Sequence, residues 1–144
     1  MKLSSHFSLA ELTHSNTGAR LGISNNPPVA IVTRLRRTAA LMERVREICG
    51  GRPVTVFSGY RGPKLNVAVG GSKTSSHMDG DAVDFKIVGL SITETVTLLR
   101  NGGLEFDQVI DEFNSWVHIG FGPRNRQQVI SARKVRGKTV YKSL

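Results

Sequence analysis

Apolar residues recur along this chain with two different periods. Between residue 29 and about residue 49, Val32, Leu35, Ala39, Met42, Val45 and Cys49 return at intervals of three and four, with Arg34, Arg37 and Arg44 between them. That spacing predicts an amphipathic helix with one core face and one basic face. Asn25-Asn26-Pro27-Pro28 leads into it, with proline φ already set for a first helical turn, and Gly50-Gly51 ends it. Ahead of it, Ser8-Leu9-Ala10-Glu11 reads as a capping box and predicts a short helix. The β-branched run Pro53-Val54-Thr55-Val56-Phe57 predicts a buried strand, and residues 82–88 a second. Ser91-Ile92-Thr93-Glu94 caps a further helix that Gly102-Gly103 closes. Residues 108–111 and 116–121 read as a hairpin around Phe113-Asn114-Ser115. Residues 127–132 and 139–142 add edge strands, with the basic stretch 133–138 as their turn. Residues 58–76, rich in Gly and Ser and without periodicity, predict a long functional loop between two strands. Helices followed by a mostly antiparallel sheet with one inserted helix make the fold class α+β.

With 144 residues, the chain is expected to form a single domain, 1–144. Hydrophobic residues at 39% and charged residues at 22% exclude a disordered chain. Net charge changes the picture more: +9, with a pI near 10.5, calls for an anionic partner. Nucleic acid, acidic lipid and the anionic bacterial wall all satisfy that condition. Cys49 is the sole cysteine, so an intramolecular disulfide and a four-Cys zinc site are excluded, and a small buried hydrophobe is expected there. The opening residues, interrupted by Lys2, Ser4, Ser5, His6 and Ser8, lack the apolar region of a signal peptide, so synthesis in the cytoplasm is expected. No run approaches a transmembrane length.

Two of the four histidines fall where chemistry is most plausible. His77 lies in Ser75-Ser76-His77-Met78-Asp79-Gly80-Asp81-Ala82-Val83-Asp84, where small residues allow close approach of loop and strand. His118 interrupts Trp116-Val117-His118-Ile119-Gly120-Phe121, a strand that would otherwise take Val or Ile. Two imidazoles and one carboxylate are the donor set of a catalytic zinc, which keeps its fourth position open. The plain alternative is a core histidine beside a capping aspartate. His6 and His14 have no partner at ligand spacing, and Asp79 and Asp81 read as outer or solvated acids.

Ser58-Gly59-Tyr60-Arg61 after a strand, then S-x-H-x-x-G-x-A-x-D, then Trp116-Val117-His118 resembles the zinc D-alanyl-D-alanine carboxypeptidase and peptidoglycan endopeptidase family. That family shares its fold with lysostaphin-type peptidases and the hedgehog signalling domain. The Phe7-Ser8-Leu9-Ala10-Glu11-Leu12 start and the Pro-rich entry to the long helix resemble its compact single-domain branch, found in phage lysins. The resemblance implies helices packed on the sheet and one zinc ion held by His77, Asp84 and His118. It also implies that Arg61 stabilises charge on the substrate and that Ser75 stands near bound substrate. Such an enzyme cleaves a stem-peptide or cross-link bond of peptidoglycan and acts on the wall after release from the cytoplasm, here expected as a monomer that does not bind nucleic acid.

This sequence departs from the family at the base. Many members carry an acid three residues before the last histidine, where this chain has Ser115. Asp111 and Glu112 are the nearest acids. If Phe113-Asn114-Ser115 is a three-residue connection, Glu112 pairs with Trp116 and shares a face with His118. A two-residue connection would put Asp111 opposite His118 instead. The reading favours Glu112, as does the Glu that compact relatives place before a similar Phe-x-x-Trp turn. Trp116 is either a wall of the cleft or core. Should neither acid serve, the chain would be an inactive, zinc-containing wall-binding module. A basic nucleic-acid-binding protein rests on charge alone.

Overall fold

The computed structural model describes residues 1–144. Its contacts gather into two compact units, Met1–Glu43 with Val56–Val83, and Arg44–Thr55 with Asp84–Leu144. A six-stranded sheet has the order β1-β2-β4-β3-β5-β6, with β1 Val54–Ser58, β2 Ala82–Ile87, β3 Gln108–Glu112, β4 Trp116–Gly120, β5 Gln128–Val135 and β6 Lys138–Ser143. The β3–β4 and β5–β6 pairs are antiparallel, whereas β3 and β5 run parallel. The α+β class and the mostly antiparallel sheet are as expected.

In the first unit, α1 (Leu9–Thr13) starts at Ser8, whose hydroxyl accepts from Glu11 N while Glu11 reaches back to the cap. A helix absent from the sequence reading follows, α2 (Asn16–Leu21), capped by Ser15 and closed by Gly22 in the left-handed region. The long helix α3 (Val29–Ile48) buries Leu35, Ala39 and Met42 along its core face and exposes Arg34 and Arg37. Its Thr38 hydroxyl donates to Gly80 O at 2.6 Å, and Arg34 donates to Asp81 at 3.2 Å. The helix therefore pins the Gly80-Asp81 corner that leads from His77 into β2. Asp81 is buried, and that burial pushes its carboxyl up against the opposing pull of Arg34.

Residues 58–76 are not one irregular loop. Pro63 at the first helical position starts α4 (Pro63–Ala68), which buries Leu65 and Asn66. Two buried positions in six are too few for a periodic signal, so composition misrepresented this segment. β1 also departs from expectation: it is the first strand of the sheet order, with alternate residues exposed and Phe57 50% exposed.

The second unit contains the C-terminal end of α3, where Val45 and Cys49 are buried and burial pushes the Cys49 thiol up to about 11. Helix α5 (Ile92–Asn101) begins in a full Ser91–Glu94 capping box and packs on β3 and β4 through Ile92, Val96 and Leu99. Strands β5 and β6 run further than the hydrophobic pattern suggests. Their turn is only Arg136-Gly137, both at positive φ, because charged residues tolerate an exposed ladder. No helix is long and apolar enough to cross a membrane.

Candidate metal centre

His77 sits on a 3-10 turn, Ser76–Asp79, whose cap hydroxyl is Ser75 Oγ and whose end is Gly80 at φ +73°. Its ring is 3% exposed, and Nδ1 lies 2.7 Å from the Gly59 carbonyl oxygen. A carbonyl only accepts, so Nδ1 carries the proton and donates. Nε2 becomes the lone-pair nitrogen of the ring, the arrangement that orients an imidazole towards a metal. Gly59 is glycine for a local reason: a Cβ there would fall inside the backbone of Leu12. The same Leu12 carbonyl accepts from Tyr60 N at 2.7 Å, so α1 fixes the carbonyl that orients His77.

Arg61 follows directly. Its backbone N–H donates to His77 O at 3.0 Å, its Nε to Asn66 Oδ1 at 2.9 Å and a terminal nitrogen to Ser75 Oγ at 3.2 Å. The structure thus brings Arg61, Ser75 and His77 together. Asn66, 3% exposed, was missed in the sequence. Its amide nitrogen donates to Ser72 O at 2.9 Å while its oxygen holds the guanidinium, which fixes the arginine in one orientation. An Asn on a short helix gives no sequence signal of that role.

In the second unit, Asp84 stands on β2 and His118 on β4, with His118 Nδ1 2.9 Å from Asp84 Oδ1. The β3–β4 register is Glu112↔Trp116, Asp111↔Val117 and Ile110↔His118. Phe113, Asn114 and Ser115 connect the strands, with Phe113 at φ +57° and Asn114 at φ +54° and Ser115 N donating to Glu112 O. Directly paired residues share a face, as do alternate residues of one strand, so Glu112 lies on the face of His118. Burial pushes the Glu112 carboxyl up, attraction to His118 pulls it back, and Asp84 and Asp111 add repulsion. Asp111 points to the other face: it is 4% exposed, receives two bonds from Arg133 at 2.9 and 3.0 Å and accepts from Asn114 N at 2.9 Å. Trp116 is half-buried, packs edge-on against Phe113 at 5.9 Å, and keeps its indole N–H buried without a partner. Ser115 is exposed in the turn.

His77 in the first unit offers a buried imidazole, and Asp84 and His118 in the second offer a carboxylate oxygen and an imidazole side by side. Two nitrogens and a carboxylate oxygen suit zinc. The 2.9 Å between His118 and Asp84 is near the roughly 3.3 Å edge of a tetrahedron with bonds of about 2.0–2.1 Å. Asp79, His6 and His14 are exposed and outside this group; His6 pairs with Glu43 at 2.7 Å.

A family model described as Peptidase M15 matches residues 5–120, most of the chain. The chain belongs to the peptidase M15 family. It is also 29% identical, over 101 residues, to a zinc D-Ala-D-Ala carboxypeptidase of Streptomyces albus G. The matched segment is 68% of this M15 chain and 38% of that protein's length. The three potential ligands, Arg61 and Glu112 all lie inside the stretch that the M15 model matches.

Proposed function

We propose that this chain is a zinc peptidase that cleaves a peptide bond in the stem or cross-link of peptidoglycan, in the manner of an endolysin. The observation that carries the reading is the Asp84–His118 pair with Glu112 on the His118 face, inside the stretch that the Peptidase M15 model matches. One zinc ion would be held by His77, Asp84 and His118. When bound, it would polarise the amide carbonyl and make water a better nucleophile at neutral pH.

The remaining work falls to the chain's own groups. Glu112 takes the proton of the attacking water and delivers it to the leaving amine, so the cleaved bond yields a carboxylate and an amine. Partial burial suits it, because a less acidic carboxylate is a better proton acceptor. Arg61 presents a fixed positive fork to a substrate carboxylate or to the charge developing on the carbonyl oxygen. Asn66 and Ser75 hold that fork in place. Asp111 is committed to Arg133 and the turn, which is why the base is assigned to Glu112.

Metal analysis together with cleavage of purified sacculi tests this. The chain is expected to bind one zinc, and Asp84→Asn is expected to weaken zinc binding by more than about 100-fold, beyond the loss of an outer hydrogen bond. Peptide release should fall with it. Unchanged zinc affinity in Asp84→Asn would contradict the ligand set, and a zinc-loaded protein that binds the wall without cutting it would be the inactive module.

A further inference from the structure

Arg61 also forms one wall of a cavity of about 270 Å³, built within the first unit by the α1–α2 connection, the end of β1 and α4. The buried part of its lining is apolar, with Tyr60 6% and Leu65 1% exposed. Phe57, turned outwards by the alternation of β1, and Val69, at the end of α4, add exposed apolar surface to it. Polar groups complete the lining. His14 Nε2 lies 2.8 Å from Asn16 Oδ1; an amide oxygen accepts, so the ring nitrogen donates and the Asn16 amide nitrogen remains as a donor. Arg61 is the one permanent charge in the lining, and no acid lies there.

We propose that this cavity is a specificity subsite for a stem-peptide residue bearing a free carboxylate, with His14 and Asn16 as its selecting donors and Phe57 and Val69 as its apolar walls. The proposal rests on the peptidase reading for the identity of the peptide, in which Arg61 contacts substrate. Size sets the class of occupant. The volume is just below the roughly 300–1,000 Å³ of sites that enclose a whole drug-sized molecule, so it suits one amino-acid residue better than a disaccharide of the glycan. Charge sets the rest: a guanidinium with neighbouring N–H donors and no carboxylate favours an anion and rejects the free amine of a diamino acid. Apolar walls reduce the water around a bound carboxylate, which strengthens its bonds to those donors. A stem peptide carries free carboxylates on its glutamate and at its C-terminus, and both have this chemistry.

The test is calorimetric binding to zinc-loaded Glu112→Gln, which leaves peptides uncut, of three soluble stem peptides: both carboxylates free, the glutamate amidated, or the C-terminus amidated. The free peptide is expected to bind about tenfold or more tightly than one of the amidated forms, and the form that loses affinity identifies the carboxylate. His14→Ala/Asn16→Ala should erase that difference. Phe57→Ala/Val69→Ala should weaken all three peptides about tenfold, and Val67→Ala, on α4 but outside the cavity lining, less than about twofold. All five side chains are exposed, so melting temperatures should stay close to that of Glu112→Gln alone. Absent or equal binding of the three peptides, or discrimination that survives in His14→Ala/Asn16→Ala, would overturn the proposal. So would equal weakening by Phe57→Ala/Val69→Ala and Val67→Ala. With Glu112 restored, selective binding through the cavity without peptide release would refute the peptidase reading and support the subsite. Peptide release that none of the cavity variants alters would refute the subsite alone.

Discussion

Glu112 and Asp111 are adjacent acids with opposite surroundings, and that difference sets their expected behaviour. Glu112→Gln keeps the side-chain shape and removes the proton acceptor, so zinc content should persist while wall cleavage falls by about 10²- to 10⁴-fold. Asp111→Asn weakens the paired bonds to Arg133 and the cap on the turn, so it should lower stability by about 1–3 kcal/mol with specific activity nearly kept. Assays of both variants alongside thermal melts separate the two roles. If Asp111→Asn abolishes cleavage and Glu112→Gln does not, the base is Asp111. Arg61→Ala, at a half-buried position, should cost at most about 1–3 kcal/mol of stability, through the lost bond to Asn66, and lower turnover by about 100-fold or more. Strand alternation made the shared face of Glu112 and His118 legible beforehand, because the turn length alone decides which acid lies on it. The Asn66 clamp on Arg61 was not legible, since a bond between residues five apart depends on a helix that the local composition hides.

At the scale of elements, the site depends on backbone placement as much as on side chains. Gly59→Ala would drive a Cβ into Leu12 and displace the carbonyl that receives the His77 proton. Zinc affinity should drop by about 10- to 100-fold, the range for an outer partner of a ligand, and titration with a competing chelator measures it. Asp107, 7% exposed just before β3, is bonded by Arg126 at 2.8 and 2.9 Å. Those bonds, with Arg124 nearby, hold its carboxyl below the usual range. A depressed carboxyl contributes stability above its unfolded-state value that disappears as pH falls through its folded one. Melting curves of Asp107→Asn should therefore lie below those of the parent at neutral pH, by about 1 kcal/mol after solvent screening, and converge with them in acid. Capping boxes at Ser8 and Ser91 and the glycine stops were readable because they act within four residues. Helices α2 and α4 and the edge position of β1 were not, because each is stabilised by distant packing.

At the scale of the whole molecule, seven Lys and Arg residues and no acid follow Glu112, and the register turns Arg133, Lys138 and Lys142 to the sheet face opposite Glu112. The net charge pointed to an anionic partner, but composition has no direction and did not show which surface carries it. The most direct test of a zinc peptidase acting through Glu112 is mass spectrometry of muropeptides from sacculi digested with the zinc-loaded chain and with zinc-loaded Glu112→Gln. The parent should produce stem fragments cut at a single type of peptide bond, abolished by chelation and restored by zinc, while the variant leaves the stems whole. Intact stems after digestion with the zinc-loaded parent, or equal cutting by parent and variant, would contradict it.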